Sequence, residues 1–209
     1  MYHVIDVVQD ILMHASFDIN KIVRKDVLYL DDDGSLNEHS FTYHDDDIWC
    51  EWSCYKIKKI VIGKELTQFP AGMLAAHREN TNNPDYEIEI HRDNPCFTYQ
   101  DGAIFDKNMY KLIFFAENSR TSYAVPEGVL KIGESAFENC PNLCSVEIPD
   151  SVTEIGAYAF QNCRSLQSLI IPDGVLTIED DAFYDVPHVF YKGNAYDWCD
   201  LHWGAQKYN

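Results

Sequence analysis

His39, His44 and the run Asp45, Asp46, Asp47 bring two imidazoles and three carboxylates close together, the donor types that hold zinc or another divalent cation. Spacing alone fixes no ligand geometry, and a turn of this composition serves equally as solvated loop, so no metal site is assigned. Asp31-Asp32-Asp33-Gly34 invites a calcium reading. An EF-hand needs its glycine at the sixth position, and counting back from Gly34 puts Tyr29 at the first, where a ligand should stand. Cys50 and Cys54 fall in the alternation Ile48, Cys50, Trp52, Cys54. On a strand, residues four apart lie roughly 13 Å from each other, too far to share one ion, so these thiols read as core-facing residues. Cys199 and His202 offer a thiol and a base three residues apart, without a third group to orient the imidazole. Gly133-Glu134-Ser135-Ala136 lacks the second glycine of a nucleophile elbow, and neither G-x-x-x-x-G-K nor H-E-x-x-H occurs. No catalytic residue, metal ligand or cofactor is therefore named, and the expectation is a protein that is not an enzyme.

The elements that carry these residues are set by a 23-residue period. Pro126, Pro149 and Pro172 head three copies, followed at equal offsets by Val129, Val152 and Val175; Ile132, Ile155 and Ile178; Ala136, Ala159 and Ala182; Phe137, Phe160 and Phe183. The first two copies also share Cys140 with Cys163, Leu143 with Leu166, Val146 with Leu169 and Ile148 with Ile171. Self-similarity of this length marks a solenoid. From Val152 to Leu166 the apolar steps are mostly three or four, which suits helical turns, whereas Leu169 and Ile171 are two apart, as on a half-buried strand. Each copy is thus a short helical or irregular turn plus a short strand. One unit cannot bury its own apolar face, so stacking at about the 4.8 Å strand spacing must make the core.

The run Ile148, Pro149, Val152, Ile155, Gly156, Ala159, Phe160, Cys163, Leu166, Leu169, Ile171 resembles the BspA-type leucine-rich repeat of bacterial surface and gut-commensal proteins. Asn94-Pro95, Phe97, Asp101-Gly102, Ile104-Phe105, Leu112-Ile113 and Tyr123 to Pro126 are similar to that family's longer, hairpin-containing repeat, and Trp52, Ile57 to Gly63, Leu66 and Phe69 to its opening repeat. The resemblance runs from near Asp31 to about Trp203. It implies an α/β solenoid, a right-handed leucine-rich repeat coil with short strands on one face and short helical or irregular turns on the other, and it implies protein binding without naming a ligand.

Three segments are expected. Residues 1–25 form an N-terminal capping helix and lead-in, since Val4, Val8, Ile11, Leu12 and Ala15 fall at helical spacing. Residues 26–194 form the solenoid, irregular over 26–125 and regular over 126–194. Residues 195–209 form a C-terminal cap in which Trp198, Leu201 and Trp203 recur at helical spacing. In the last copy Lys192 stands where Val146 and Leu169 stood and Asn194 where Ile148 and Ile171 stood, so the stack is expected to end there. Phe105, Phe114 and Phe115 of the hairpin either present an apolar patch or fill an enlarged core.

Thirty-four acidic residues against 16 basic give a net charge of −18, and residues 126–186 hold 11 acids and 2 bases. Such a field repels nucleic acid and anionic membranes and favours a basic protein partner, or serves solubility alone. Asp6 and Asp10 interrupt the first apolar stretch and no basic segment precedes it, so with Met1 as the start the expected location is cytoplasmic, a departure from the exported habit of the resembled family. Seven cysteines, with Cys140 and Cys163 at equivalent positions, are expected as free thiols.

Solenoids bind through the strand face, where outward positions align from copy to copy. Lys59, Val61, Glu87, Glu89, Ser122, Ala124, Ser145, Glu147, Ser168 and Ile170 are the candidates, a mixed row without an aromatic anchor. Two functions from different classes follow: a non-catalytic interaction module whose ligand the sequence does not name, and an immunity-type inhibitor of a basic toxin or nuclease. A cell-surface adhesin is a third, if the chain is exported.

Overall fold

The computed structural model describes residues 23–24, 27–30, 57–80 and 85–204. The expected N-terminal helix, the Asp31 to Gly34 turn, the His39/His44 group, Cys50 and Cys54 lie outside the described residues.

The chain enters through β1 (Val23–Arg24), antiparallel to β2 (Val27–Leu30), which runs parallel to β3 (Lys59–Ile62). After α1 (Ala71–Asn80) comes β4 (Glu87–Ile90), parallel to β3. Leu28, Ile60 and Ile88 stack in register, as do Leu30, Ile62 and Ile90, because every second strand residue points inward. Helix α1 was not expected from the sequence. Leu74 through Arg78 are all buried, so the helix has no polar stripe to mark its period, and Pro70 just before it is the one local signal.

Asn94 fastens the coil that follows β4. Its amide donates to Gly63 O at 2.7 Å and Leu66 O at 3.0 Å, and its Oδ1 accepts from Cys96 N at 2.8 Å and Phe97 N at 2.9 Å. The side chain is 1 % exposed. Replacement by alanine orphans four backbone groups, two buried and two half-buried, and is expected to cost about 2 kcal/mol, read from the urea midpoint.

The hairpin pairs β5 (Phe97–Gln100) with β6 (Ala103–Asp106) across Asp101-Gly102, both at positive φ as a tight two-residue turn requires. β6 continues antiparallel to β7 (Lys111–Phe115). These strands divide two cores: Ile104 and Phe114 pack with Leu28, Ile60 and Leu74, whereas Phe105, Leu112 and Phe115 pack with the repeats that follow. Phe105, Phe114 and Phe115 are all buried, so the hairpin fills an enlarged core and presents no apolar patch.

From here the coils are regular. One row of short parallel strands comprises β8 (Ser122–Ala124), β10 (Ser145–Glu147), β12 (Leu169–Ile171) and β14 (Val189–Tyr191); between them β9 (Lys131–Ile132), β11 (Glu154–Ile155), β13 (Thr177–Ile178) and, at the end, β15 (His202–Trp203) build a second row. The second row continues through β7, β6 and β5 as a seven-stranded sheet. Partners 23 residues apart meet directly, Ser122 with Ser145, Lys131 with Glu154, and Glu154 with Thr177.

Helical spacing in the repeats produces an irregular turn, not a helix. Ser135, Tyr158 and Asp181 take φ of 53°, 57° and 50°, and Asn139, Asn162 and Asp185 take 55°, 59° and 61°. Left-handed residues recurring every four positions cannot lie in a right-handed helix. The freed backbone turns sideways and bonds the next coil: Ser135 N donates to Ala157 O at 2.9 Å, Phe137 N to Ala159 O at 2.8 Å and Asn139 N to Gln161 O at 2.9 Å, and Tyr158, Phe160 and Asn162 do the same to Asp180, Ala182 and Tyr184. Beneath this ladder Phe137 and Phe160 stack at 5.0 Å with planes 5° apart, and Phe183 follows at 6.1 Å. Cys140 and Cys163 are buried free thiols, and burial pushes the Cys140 thiol up to about 11.

The last coil departs from the expected register. Val189, Phe190 and Tyr191, rather than Lys192 and Asn194, pair with Leu169, Ile170 and Ile171, because this coil is three residues shorter than its predecessors. The strand row therefore runs one strand further than the 23-residue period implies. Asn194 instead caps α2 (Ala195–Asp200), accepting from Tyr196 N at 2.8 Å and Asp197 N at 3.1 Å. Trp198 on α2 and Trp203 on β15 pack at 4.9 Å against each other and over the end of the core, with Leu201 buried between them in sequence.

Candidate interaction surface

The ten strand-face residues fall in two groups. Lys59 and Val61 on β3 pair in register with Glu87 and Glu89 on β4. Lys59 Nζ lies 2.8 Å from both Glu87 Oε1 and Glu89 Oε2, and these bonds, to Glu87 first, hold the ammonium above its ordinary pKa. This group is closed on itself. Ser122 and Ala124 on β8 pair with Ser145 and Glu147 on β10. Ser168 and Ile170 continue the series, with Gln167 N donating to Cys144 O at 3.2 Å between β10 and β12. Among the described residues no ladder joins β4 to β8 or β10 to β12, so the structure distributes these residues over three sheets, with Ser168 just before β12, and not in one unbroken row.

Two residues join the second group that the sequence reading missed. The shortened coil puts Phe190 directly beside Ile170, and both side chains stand outward, 56% and 54% exposed. His188 precedes them at the strand entrance, its ring 6.4 Å from that of Phe190. The outward file is thus Ala124, Glu147, Ile170, Phe190. An aromatic side chain stands in the file, and alternation within Val189, Phe190 and Tyr191 was the available signal, hidden by counting 23 residues instead of 20.

The cations of the regular coils are already engaged. Lys131 Nζ meets Glu154 at 2.9 Å and Glu179 at 3.5 Å, Arg164 Nε meets Asp185 at 2.6 Å, and Lys192 Nζ meets Asp150 at 2.7 Å. Exposed pairs of this kind add little stability, but each lysine and arginine of residues 126–192 meets a partner with a carboxylate already beside it.

A polar cluster locks α1 to the repeats. Arg78, fully buried, lays its guanidinium 4.1 Å from the centroid of the Phe114 ring and donates to Glu138 O at 3.3 Å and Cys140 Sγ at 3.2 Å. Asn139 Nδ2 donates to Ala75 O at 3.0 Å. Burial pushes the Glu138 carboxyl up to about 7, with the nearby Ser135 hydroxyl and the Arg78 charge opposing and the Glu79 charge adding.

Ser135 is buried at a left-handed turn, and Cys199 and His202 sit on the exposed sides of α2 and β15. Among the described residues no three His, Cys, Asp or Glu side chains converge as metal ligands, and no helix is long and apolar enough to cross a membrane. A cleft of about 200 Å3 between Ile178, Phe183 and Trp203 is below the size of typical small-molecule sites.

Residues 108–190 match the family model described as BspA type leucine rich repeat region, in six copies. No curated protein matches the sequence. Among solved structures, the pneumococcal vaccine antigen PcpA is similar at 20% identity with a TM-score of 0.52, over 64% of this chain and 35% of that one. A leucine rich cell surface protein of Faecalibacterium prausnitzii is 22% identical (TM-score 0.48; 70% of this chain, 51% of that one), and a leucine-rich repeat protein of Eubacterium ventriosum is 18% identical (TM-score 0.40; 65% and 50%). The chain spans between about a third and a half of the length of these proteins. The 23-residue period, the parallel strand rows built on it and the family match agree: residues 108–190 of this chain are a BspA-type leucine-rich repeat region.

Proposed function

We propose that this chain is a non-catalytic protein-interaction module that binds its partner across the outward face of the strand row, with no cofactor. The carrying observation is the file of outward residues on β8 and β10 and on β12 and β14, each pair in register, the two pairs joined by the bond from Gln167 N to Cys144 O and open on their outer side. A face of this kind positions many side chains for one extended contact and has no cavity for turnover.

The engaged cations favour a second, narrower reading, an inhibitor of the immunity type that neutralises a basic toxin or nuclease. A surface with its few basic groups tied down and a net charge of −18 accelerates encounter with a cationic protein. The cytoplasm is the proposed location; the similar Faecalibacterium protein is a cell surface protein, and protease treatment of intact cells separates the two. Capture of native-host proteins on the purified chain at low and moderate salt tests the function. One stoichiometric basic partner supports inhibition, and several weak ones support the general module. Substituting Ser122 and Ser145 together by arginine should reduce either capture by about tenfold or more, and unchanged capture removes the strand face from the account.

A further inference from the structure

The strand face is uniform neither in chemistry nor in exposure. At β8 and β10 it presents Ser122, Ala124, Ser145 and Glu147, small or polar groups that offer a partner little area. At β12 and β14 it presents Ile170 and Phe190, adjacent by strand pairing, each more than half exposed, with the His188 ring beside Phe190. Inward positions account for the strand alternation without them: Leu169 and Ile171 are buried below Ile170, and Val189 and Tyr191 flank Phe190 against the core. Neither outward side chain is needed to close the stack.

The charge around this pair is predominantly acidic, and the cation next to it is paired. Glu147 precedes Ile170 in the same file, and Lys192, the basic residue that follows β14, is held by Asp150. Lys131 and Arg164 are likewise held by Glu154, Glu179 and Asp185. An acidic partner would meet only the His188 ring and a lysine already paired with a carboxylate, whereas a basic one meets Glu147 and the acidic excess of the repeats.

We propose that Ile170 and Phe190 form the anchor of the strand face, and that its occupant is a basic segment of another protein which seats an apolar side chain on this pair and sets Lys or Arg against Glu147. This rests on the reading of the strand face as the binding surface and narrows it to one end and one partner chemistry. Apolar contact supplies the affinity and the carboxylates supply the selection, the division expected where an aromatic anchor lies within a charged rim.

The test uses the full chain and short synthetic peptides graded from acidic to basic, each made with and without a central Phe or Leu, with dissociation constants from fluorescence anisotropy. Basic peptides carrying the apolar residue should bind best. Phe190→Ser and Ile170→Ser should each weaken them about tenfold or more, while Leu176→Ser, which removes an apolar side chain 64% exposed away from the strand row, should leave them unchanged. Glu147→Gln should weaken the basic peptides, and its effect should fade as salt rises. Preference for neutral or acidic peptides, absence of binding to any peptide, or equal loss in Leu176→Ser overturns the proposal. Loss in the arginine variants of Ser122 and Ser145 without loss in Phe190→Ser overturns the anchor and leaves the strand-face reading standing; indifference to all of these substitutions removes both. Self-association of the wild-type chain that Phe190→Ser abolishes, seen by sedimentation, names a second copy as the occupant and also overturns it.

Discussion

Phe160→Ala should lower stability by about 3–5 kcal/mol, the largest single loss expected in the regular coils. The ring is fully buried and stacked on both sides, against Phe137 at 5.0 Å and Phe183 at 6.1 Å, so its removal opens a void that neither neighbour can collapse into without leaving its own coil. Phe183→Ala should cost distinctly less, because Phe183 has one stacking neighbour of this kind and is only partly buried. Urea unfolding followed by circular dichroism measures both. Equal losses would show that the file of rings is not the element that couples one coil to the next. Because each coil contacts chiefly its neighbours, hydrogen exchange should rise most at β9, β11 and β13 in the Phe160 variant and least at β2 to β4.

A second large effect is expected with pH. Glu138 holds its proton up to about 7 in the folded chain and titrates near its ordinary 4.5 when unfolded. Between those values the folded state binds more protons than the unfolded state, so this residue's contribution is full below pH 4.5 and is lost as pH rises through 7. The loss amounts to at most about 3 kcal/mol. Glu138→Gln removes the titration and retains a neutral group opposite Gln161. The difference in unfolding free energy between variant and wild type should therefore favour the variant increasingly from pH 5 to pH 8. A difference that stays flat across that range would mean the carboxyl is solvated in the fold. The rest of the cluster, Arg78 against Phe114 and Cys140, should keep α1 docked in both proteins.

Much of this was legible in the residues. The offsets of Phe137, Phe160 and Phe183 fixed one interior file, and Asp101-Gly102 fixed the hairpin, because a period of 23 and a positive-φ turn each leave a direct mark on side-chain choice. Helix α1 was not legible, since burial of Leu74 through Arg78 erases amphipathic contrast. Nor did the irregular turns show themselves, as a left-handed residue every fourth position spaces apolar side chains much as a helix does. At the surface, the candidate row was placed by a fixed period, and the three-residue shortening before Val189 moved Phe190 into it unseen. Interior columns constrain sequence strongly and outward files weakly, so the face that meets a partner is the part least written in the pattern.

The sideways backbone bonds from Ser135, Phe137 and Asn139 to the following coil, repeated at Tyr158, Phe160 and Asn162, all run in one direction. Each turn gives donors forward and receives them from behind, so any coil is interchangeable with any other at the junction. Such a chain can lengthen or shorten during evolution by whole copies, since duplicating residues 149–171 reproduces both junctions intact. Gaining or losing a single residue in the same stretch turns every later side chain out of its column, and tolerated variation in length should therefore cluster in steps of the unit.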